Sequence, residues 1–345
     1  MDGIRNHIFF SDPFSVDPNK NRVLKNFYTD LIAKLVSESL FFFNDDYYLD
    51  NIAILENKLS NLDYCIDLYP SVNASVDPDR NRLYIHLFSI VAAHNITMIT
   101  GLLDLLNLPR VMSNQEIEAK AKEWINTFDN LQMVENFINT FGEKRDIPVI
   151  LENSKIYAAW PSNLGNSDKY SVYAIEILKL MLLHELGHWQ YAHFNSEMKF
   201  AYDKQALQLL QADLENYGIS LRKEIISSWI HEIVADYIAI LVYTKNNIIS
   251  HKEKQCSKQC YIAIGLYYGL ISLEELGSGL YKRISTTHPP VFIRQNIVQK
   301  LYSNFFSNIL EISYEDFMNH EIQEWLMIQK YYAMIIETFW RKHHG

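Results

Sequence analysis

Glycine and proline are both scarce in this chain, which has 11 and 9 of them in 345 residues. Turn-rich β folds use both residues often, so their scarcity favours long helices. The 3 cysteines are too few for a disulfide framework, which suits a reducing compartment. The N-terminus contains no apolar signal core. We therefore expect a cytoplasmic protein that is not secreted.

Positive charge is also in deficit, because 31 Lys and Arg stand against 41 Asp and Glu, a formal net charge of −10. The chain has no basic stripe that could follow a phosphate backbone, so we expect no nucleic-acid partner. The most apolar runs, 83–108 and 171–192, both contain histidine and acidic residues. Buried helices of a globular protein accept such groups more readily than membrane spans do, so we expect no stable membrane insertion.

Apolar residues make up 48% of the chain, which is ample for a large core. In several long segments they recur at three- and four-residue steps, which predicts helices. The predicted helices cover roughly 19–43, 88–106, 113–140, 169–195, 200–216, 222–246, 255–276 and 315–340. Ser113 and Ser313 each precede an acidic residue by three positions, and these capping boxes mark two of the helix starts.

Short alternating segments predict a small β-sheet beside the helices. Segments 62–68 and 82–87 alternate in part and flank 70–79, which is rich in turn formers. We therefore predict a β-hairpin there. Two further extended segments are predicted at 148–151 and 155–160, ahead of the 169–195 helix.

Segment 182–189 reads Leu-Leu-His-Glu-Leu-Gly-His-Trp and places two histidines four residues apart in a predicted helix. His184 and His188 therefore lie one turn apart on one face, where both imidazoles can bind one ion. Glu185 stands on the flank of that face and can reach a water on the ion without being a ligand. Two neutral imidazoles, a carboxylate base and an open position indicate a zinc hydrolase.

A catalytic zinc ion needs a third protein ligand, and the best candidate is Glu232, which lies 44 residues after His188. That separation lets a second helix return alongside the first. Asp236 shares the face of Glu232 and can hydrogen-bond the far nitrogen of a ligand histidine. The alternative is that these carboxylates form an acidic face on the surface, but the apolar composition of this helix disfavours it. His231 could also compete with Glu232 as the ligand.

A third polar element is Thr-His-Pro-Pro at 287–290. The two prolines fix the backbone after His288, so a rigid turn presents its side chain. His288 could donate a hydrogen bond to the oxyanion of a tetrahedral intermediate, and Arg294 could anchor the loop or a carboxylate. The alternative is a helix start near Pro290 with His288 incidental, and the motif in isolation favours that interpretation.

Four tyrosines lie at 261, 267, 268 and 281. One of them could donate to an oxyanion, but aromatic residues at helical spacing more often serve packing. Cys256 and Cys260 lack further ligands at metal-binding spacing and are expected to be ordinary thiols.

Together, the three polar elements resemble the gluzincin class of metallopeptidases. They are His184-Glu185-Leu186-Gly187-His188, Glu232-x-x-Ala235-Asp236, and Thr287-His288-Pro289-Pro290 with Arg294. Their order and spacing are similar to those of the HtpX-like and CAAX-prenyl metallopeptidases and of the Lit peptidases, the bacterial phage-exclusion proteases. The likeness to Lit includes Trp160-Pro161 and the apolar stretch before the histidines, and covers roughly residues 60–300.

The resemblance implies a zincin-like fold with one helix for the two histidines and another for the glutamate. It implies one catalytic Zn²⁺ held by His184, His188 and Glu232, with Glu185 as the general base. The same likeness gives supporting roles to Asp236 and Arg294 and makes His288 a stabiliser of the transition state. We interpret the chain as mainly α with a small β-sheet, an α+β protein.

We predict a single metallopeptidase domain over 1–345, because no repeat or linker is visible. Within it, 1–145 holds the hairpin and N-terminal helices, 146–300 the catalytic core and 301–345 a C-terminal helical extension. The likeness to Lit implies an endopeptidase of protein substrates, with elongation factor Tu as the target and a phage-derived activator. Two alternatives stay open, a quality-control processing peptidase and a non-catalytic regulatory protein with a vestigial metal site.

Overall fold

Helices dominate the computed structural model, which describes residues 63–67, 74–86, 112–126, 169–250, 258–278 and 285–344. The helices are α1 (Asn114–Ile125), α2 (Lys169–His193), α3 (Ser196–Asn216), α4 (Lys223–Ser250), α5 (Lys258–Ser278), α6 (Val291–Leu310) and α7 (Gln323–His344). The strands are β1 (Asp63–Asp67), β2 (Ala74–Asp77) and β3 (Arg82–His86). A helical turn at Tyr314–Asp316 and a π-helical turn at Phe317–Glu321 lead into α7.

Helices α2 and α4 form the most extensive helix pair of the core. Their facing sides are apolar, and Leu186 and Ile233 are both almost fully buried. Gly187 lies at the closest approach, where an added Cβ would come within 2.6 Å of the Ala235 carbonyl oxygen. The absence of a side chain at Gly187 therefore lets the two backbones approach closely, with the histidines of α2 facing Glu232 of α4.

Helix α5 lies between this pair and the C-terminal helix α7. Gly265 and Gly269 of α5 form a notch for α7, since a Cβ on either would come within 3 Å of Ile328 or Tyr332. Helix α7 thus packs directly on α5, and α1 covers another side of α7. The C-terminal helix is part of the core of the described protein.

The sheet has the strand order β1-β3-β2, with β1 parallel and β2 antiparallel to β3. The predicted hairpin between 62–68 and 82–87 is therefore wrong in its pairing, because these segments run parallel. Their turn-rich connection supplies β2, and its end forms a tight turn, where Asp77 accepts a hydrogen bond from the Arg80 amide at 3.0 Å. Asn81 closes the turn with a φ of 52° and accepts a 2.7 Å hydrogen bond from the Trp189 indole of α2.

The central helices begin and end close to their predicted bounds. Ser113 caps α1 with the predicted capping box, but α1 ends at Ile125 rather than near 140 because Asn126 forms its C-cap. Ser313 also caps as predicted, although the π-helical turn separates its short helix from α7. Helix α6 was not predicted as a separate element. The predicted elements 19–43, 88–106, 148–151 and 155–160 lie outside the described residues.

In the described ranges, one helical stretch, Lys223–Lys245, is long and apolar enough to cross a membrane. Of its most apolar window, 72% is buried inside the protein. Core helices of soluble proteins meet the same criteria of length and hydropathy, and the burial of this stretch matches such a helix.

Candidate metal centre

Three potential ligands converge between α2 and α4. His184 Nε2 and His188 Nε2 are 3.1 Å apart. Glu232 places Oε2 at 3.4 Å from the first of these nitrogens and Oε1 at 3.3 Å from the second. Neighbouring ligands of a tetrahedral zinc ion lie about 3.3 Å apart, as bonds of about 2.0–2.1 Å require. The three side chains can therefore hold a metal ion, and they are the one such group in the described part of the chain.

The donor set fits a metal ion chemically as well. Glu232 Oε2 is buried and has no hydrogen-bond partner, although a buried carboxylate oxygen normally has one. A cation between the ligands would satisfy this oxygen. Two imidazole nitrogens and one carboxylate oxygen are ligands that zinc commonly takes.

The charges of the site favour an ionised Glu232. Burial alone would raise the pKa of Glu232, but the neighbouring His184 and His188 rings and the Arg294 guanidinium hold that pKa well below its usual range. Burial also opposes a charge on His184, yet the Asp236 carboxylate outweighs it and raises the pKa of His184 to about 9. In the metal-free protein, a proton on His184 thus balances the buried carboxylates.

Asp236 orients the first ligand from the side away from the metal position. It is fully buried, and its Oδ1 lies 2.8 Å from His184 Nδ1. A carboxylate only accepts, so this contact places a proton on Nδ1 once the imidazole is neutral and leaves the Nε2 lone pair for a metal. Asp236 therefore occupies the position predicted from its spacing to Glu232.

Arg294 connects the two carboxylates of the site from the first turn of α6. It is 4% exposed. Its Nη2 donates to Asp236 Oδ1 at 2.7 Å, its Nε donates to Asp236 Oδ2, and its Nη1 lies 3.6 Å from Glu232 Oε2. Burial disfavours the charge, but Asp236 outweighs it and raises the pKa of Arg294. Of the two predicted partners, the loop and a carboxylate, Arg294 binds carboxylates.

Two tyrosines of α5 complete the surroundings of Asp236. The hydroxyls of Tyr267 and Tyr268 each donate to it, to Oδ1 and Oδ2, at 3.0 Å. Burial, reinforced by Asp236, raises the pKa of both phenols well above the usual range, so they are neutral donors. The sequence interpretation as packing residues missed this role, because a tyrosine that packs and one that also donates have the same helical spacing.

Glu185 is buried beside the ligands, with 9% exposure. Burial raises its pKa, although His184 and His188 oppose the rise. A carboxylate with a raised pKa is suited to accept a proton from water near neutral pH.

His288 borders the site from the loop before α6. Its Nε2 lies 3.5 Å from Glu232 Oε1, its side chain is 57% exposed, and it is not among the three convergent ligands. Burial, opposed by Glu232, lowers the pKa of His288 and favours the neutral ring. Pro290 is the N-cap of α6. The loop therefore starts a helix and also brings His288 to the metal position, so the two alternatives weighed for this motif do not exclude each other.

The His288 loop is attached to the helix that carries Glu232. Ser228 of α4 donates to the Thr287 carbonyl at 3.0 Å, and the Trp229 indole donates to the Ser285 carbonyl at 3.0 Å. The Thr287 hydroxyl lies 2.8 Å from His288 Nδ1. A hydroxyl can donate to Nδ1, so this contact is compatible with the tautomer that carries its proton on Nε2.

His231 and His193 do not join the ligand group. His231 is exposed and packs on the Tyr191 ring, with centroids 4.8 Å apart. His193 Nδ1 bonds the Trp189 carbonyl at 2.8 Å. Of the two cysteines weighed as ligands, Cys260 is buried, and Cys256 lies outside the described residues.

Comparison with protein-family models, with curated proteins and with solved structures gives no match for this chain. The likeness to gluzincins therefore rests on the motif residues and on the geometry described above.

Proposed function

We propose that this protein is a zinc-dependent endopeptidase in which His184, His188 and Glu232 hold one Zn²⁺ ion. The observation that carries the proposal is the convergence of the two imidazole Nε2 atoms and both oxygens of the Glu232 carboxylate, with contacts of 3.1, 3.3 and 3.4 Å. These lengths agree with the separation of about 3.3 Å expected for tetrahedral zinc. The buried Glu185 beside these ligands supports a hydrolytic rather than a structural site.

Zinc at this position would act as a Lewis acid toward the scissile carbonyl and lower the pKa of a water molecule. Glu185 accepts the proton of the attacking water and then delivers it to the leaving amine. Its raised pKa makes the second transfer feasible.

His288 stabilises the developing oxyanion from the loop that borders the ligands. Thr287 holds Nδ1 of the imidazole, so Nε2 can donate its proton toward the oxyanion. The exposure of the His288 side chain leaves this edge of the site accessible to a substrate. Asp236 and Arg294 keep the ligands and their charges in place during these steps.

The substrate is a protein or peptide, and an extended segment would bind by addition to a sheet edge. The extended segment predicted at 155–160 is one candidate for this edge, and it lies outside the described residues. In the described sheet, β2 is an edge strand that packs beside α2. It is therefore the edge nearest to the helix of the two histidines.

A defence role rests on the resemblance to the Lit peptidases. That likeness supports a cytoplasmic protease that cleaves elongation factor Tu after a phage-derived trigger. A quality-control peptidase would use the same site on other substrates. Proteomic comparison of phage-infected cells that express active protein or Glu185→Gln separates the two, because only the defence role predicts a cleaved elongation factor Tu.

The chemistry is tested with purified protein and its Glu185→Gln variant. We expect stoichiometric zinc in both, and a loss of peptide-bond cleavage in the variant of about 10²–10⁴-fold, the usual contribution of a general base. A wild-type protein without stoichiometric zinc would overturn the metal site. A variant that cleaves as well as wild type would overturn the mechanism, whereas zinc binding without cleavage in either protein would favour the regulatory alternative.

A further inference from the structure

The hydroxyl groups of Tyr267 and Tyr268 meet on one buried carboxylate that itself holds a metal ligand. We propose that these two tyrosines are positioning residues of the metal centre. They fix Asp236 and, through it, the imidazole of His184 in the orientation that metal binding requires. The inference rests on the proposed zinc site and extends it to a helix that contributes no ligand.

Both oxygens of Asp236 are fully engaged. Oδ1 receives His184 Nδ1 at 2.8 Å, Arg294 Nη2 at 2.7 Å and the Tyr267 hydroxyl at 3.0 Å. Oδ2 receives the Tyr268 hydroxyl at 3.0 Å and Arg294 Nε. A carboxylate offers about four lone-pair sites, so these donors from three other helices leave it no alternative orientation.

The tyrosine hydroxyls keep the Asp236 carboxylate from turning toward Arg294. Arg294 binds both oxygens of Asp236, whereas His184 contacts only Oδ1. Without a further donor on each oxygen, the carboxylate could turn toward the guanidinium and lengthen its bond to the neutral imidazole. The guanidinium carries a full positive charge and the neutral imidazole does not, so the carboxylate would turn toward Arg294.

Tyr268 packs directly against the C-terminal helix. The Tyr268 ring stacks on Trp325 of α7, with centroids 6.0 Å apart and planes within 6°. The side chains of Tyr268 and Trp325 are almost fully buried. Helix α7 in turn sits in the notch at Gly265 and Gly269. The C-terminal helix thereby supports the metal centre through Tyr268 and Asp236.

Packing alone is the competing explanation, and phenylalanine substitutions separate the two. Tyr267→Phe and Tyr268→Phe keep the rings and remove only the hydroxyls. Tyr261 is a matched control, because it is a buried tyrosine on the same helix whose hydroxyl lies 3.2 Å from that of Tyr302. Tyr261→Phe therefore removes a comparable hydrogen bond without touching Asp236.

The experiment uses the full chain and its three phenylalanine variants. Zinc affinity is measured by competition with a chromophoric chelator, the electronic spectrum is recorded with Co²⁺ in place of zinc, and Tm is measured on the metal-free proteins. We expect zinc binding about tenfold weaker in Tyr267→Phe and in Tyr268→Phe, at the lower end of the loss for outer partners of a metal ligand. The Co²⁺ spectrum changes in both variants, and Tyr261→Phe keeps the wild-type affinity and spectrum.

Unchanged or tighter zinc binding in Tyr267→Phe and Tyr268→Phe would overturn the inference. Equal weakening in Tyr261→Phe would also overturn it, because the effect would then be one of general packing. A wild-type chain that binds no zinc would overturn the proposed zinc site itself. That result differs from a wild-type chain that binds zinc with an affinity that neither tyrosine substitution changes.

Discussion

The backbone of Ala235 occupies the space in which Gly187 would carry a side chain. A Cβ on Gly187 would lie 2.6 Å from the Ala235 oxygen and 3.0 Å from its Cα. These are backbone atoms within long helices, so neither side can yield without moving a whole helix. The contact falls one residue before His188 and three after Glu232, and it therefore sets the distance between the ligands of α2 and the ligand of α4.

Gly187→Ala should separate the two ligand helices. We expect the free energy of unfolding to fall by about 1–3 kcal/mol, as overpacking of a core usually costs. Zinc binding should weaken by at least about tenfold, because ligands tolerate a displacement of only about 0.5 Å. Urea unfolding of the metal-free protein and chelator competition measure the two effects.

Gly218→Ala is the matched control for that substitution. Gly218 has a φ of +64° and nothing within 4 Å of an added Cβ. A left-handed alanine costs about 1–2 kcal/mol, so stability should fall with no change in zinc affinity. If Gly187→Ala bound zinc as tightly as Gly218→Ala does, the approach of the two helices would not control the site.

The sequence predicts best those parts of the site that lie on one helix. The four-residue spacing of His184 and His188 determines their geometry as soon as the segment is helical. Glu232 is inferred less directly, from the need for a third ligand. Tyr267 and Tyr268 are missed because their partner Asp236 lies on another helix, and helical periodicity gives no information on which helices meet.

The pairing of the strands in the sheet could not be predicted from periodicity either. Alternation correctly locates β1 and β3, but the partner of a strand depends on contacts distant in sequence. The turn-rich connection therefore suggests an antiparallel hairpin, although part of it is β2 and the two strands that it joins, β1 and β3, are parallel. The π-helical turn before α7 has no signal in the periodicity either.

Substituting Asp236 alone should destabilise the protein more than substituting both Asp236 and Arg294. Asp236→Asn leaves the buried guanidinium without its main counter-charge, so we expect a loss of about 3–5 kcal/mol in unfolding free energy. Zinc binding should weaken by about 10–100-fold, because His184 loses its orienting carboxylate. Urea unfolding and chelator competition give both numbers.

A double variant separates these two effects. Asp236→Asn with Arg294→Met removes the unpaired charge, so it should be more stable than Asp236→Asn alone. Its zinc affinity should stay low, because His184 still lacks the carboxylate. A double variant no more stable than the single one would show that the buried charge is not the cause of the loss.

Zinc binding should release a proton from His184. Burial opposes that proton, but Asp236 outweighs burial and raises the pKa of His184 to about 9 in the metal-free protein. At pH 7.5 the ring is therefore mostly protonated, and a metal must displace the proton. The apparent zinc affinity should rise about tenfold per pH unit up to about pH 9. Calorimetry in two buffers of different ionisation enthalpy measures the proton, and release of none at pH 7.5 would contradict the raised pKa.

The same raised pKa predicts how the stability of the metal-free protein depends on pH. The unfolded histidine has a pKa of about 6.5, lower than the folded value, so the native state binds the proton more tightly. The contribution of His184 is fully present below about pH 6.5 and is lost as the pH rises to about 9. Urea unfolding across this window should show the decline, and Asp236→Asn should flatten it. An equal decline in that variant would assign it to another group.

Thr287 should affect turnover without affecting the metal. Its hydroxyl holds His288 Nδ1 at 2.8 Å, and His288 is not among the convergent ligands. Removal of one oxyanion donor costs about 10²–10³ in kcat, so His288→Ala should lose that much. Thr287→Val keeps the size of the side chain but frees the imidazole, and we expect a smaller loss in kcat with unchanged zinc content. Thr287→Ser restores the hydroxyl and should recover most of the activity. If Thr287→Ser were as impaired as Thr287→Val, the methyl group rather than the hydrogen bond would position His288.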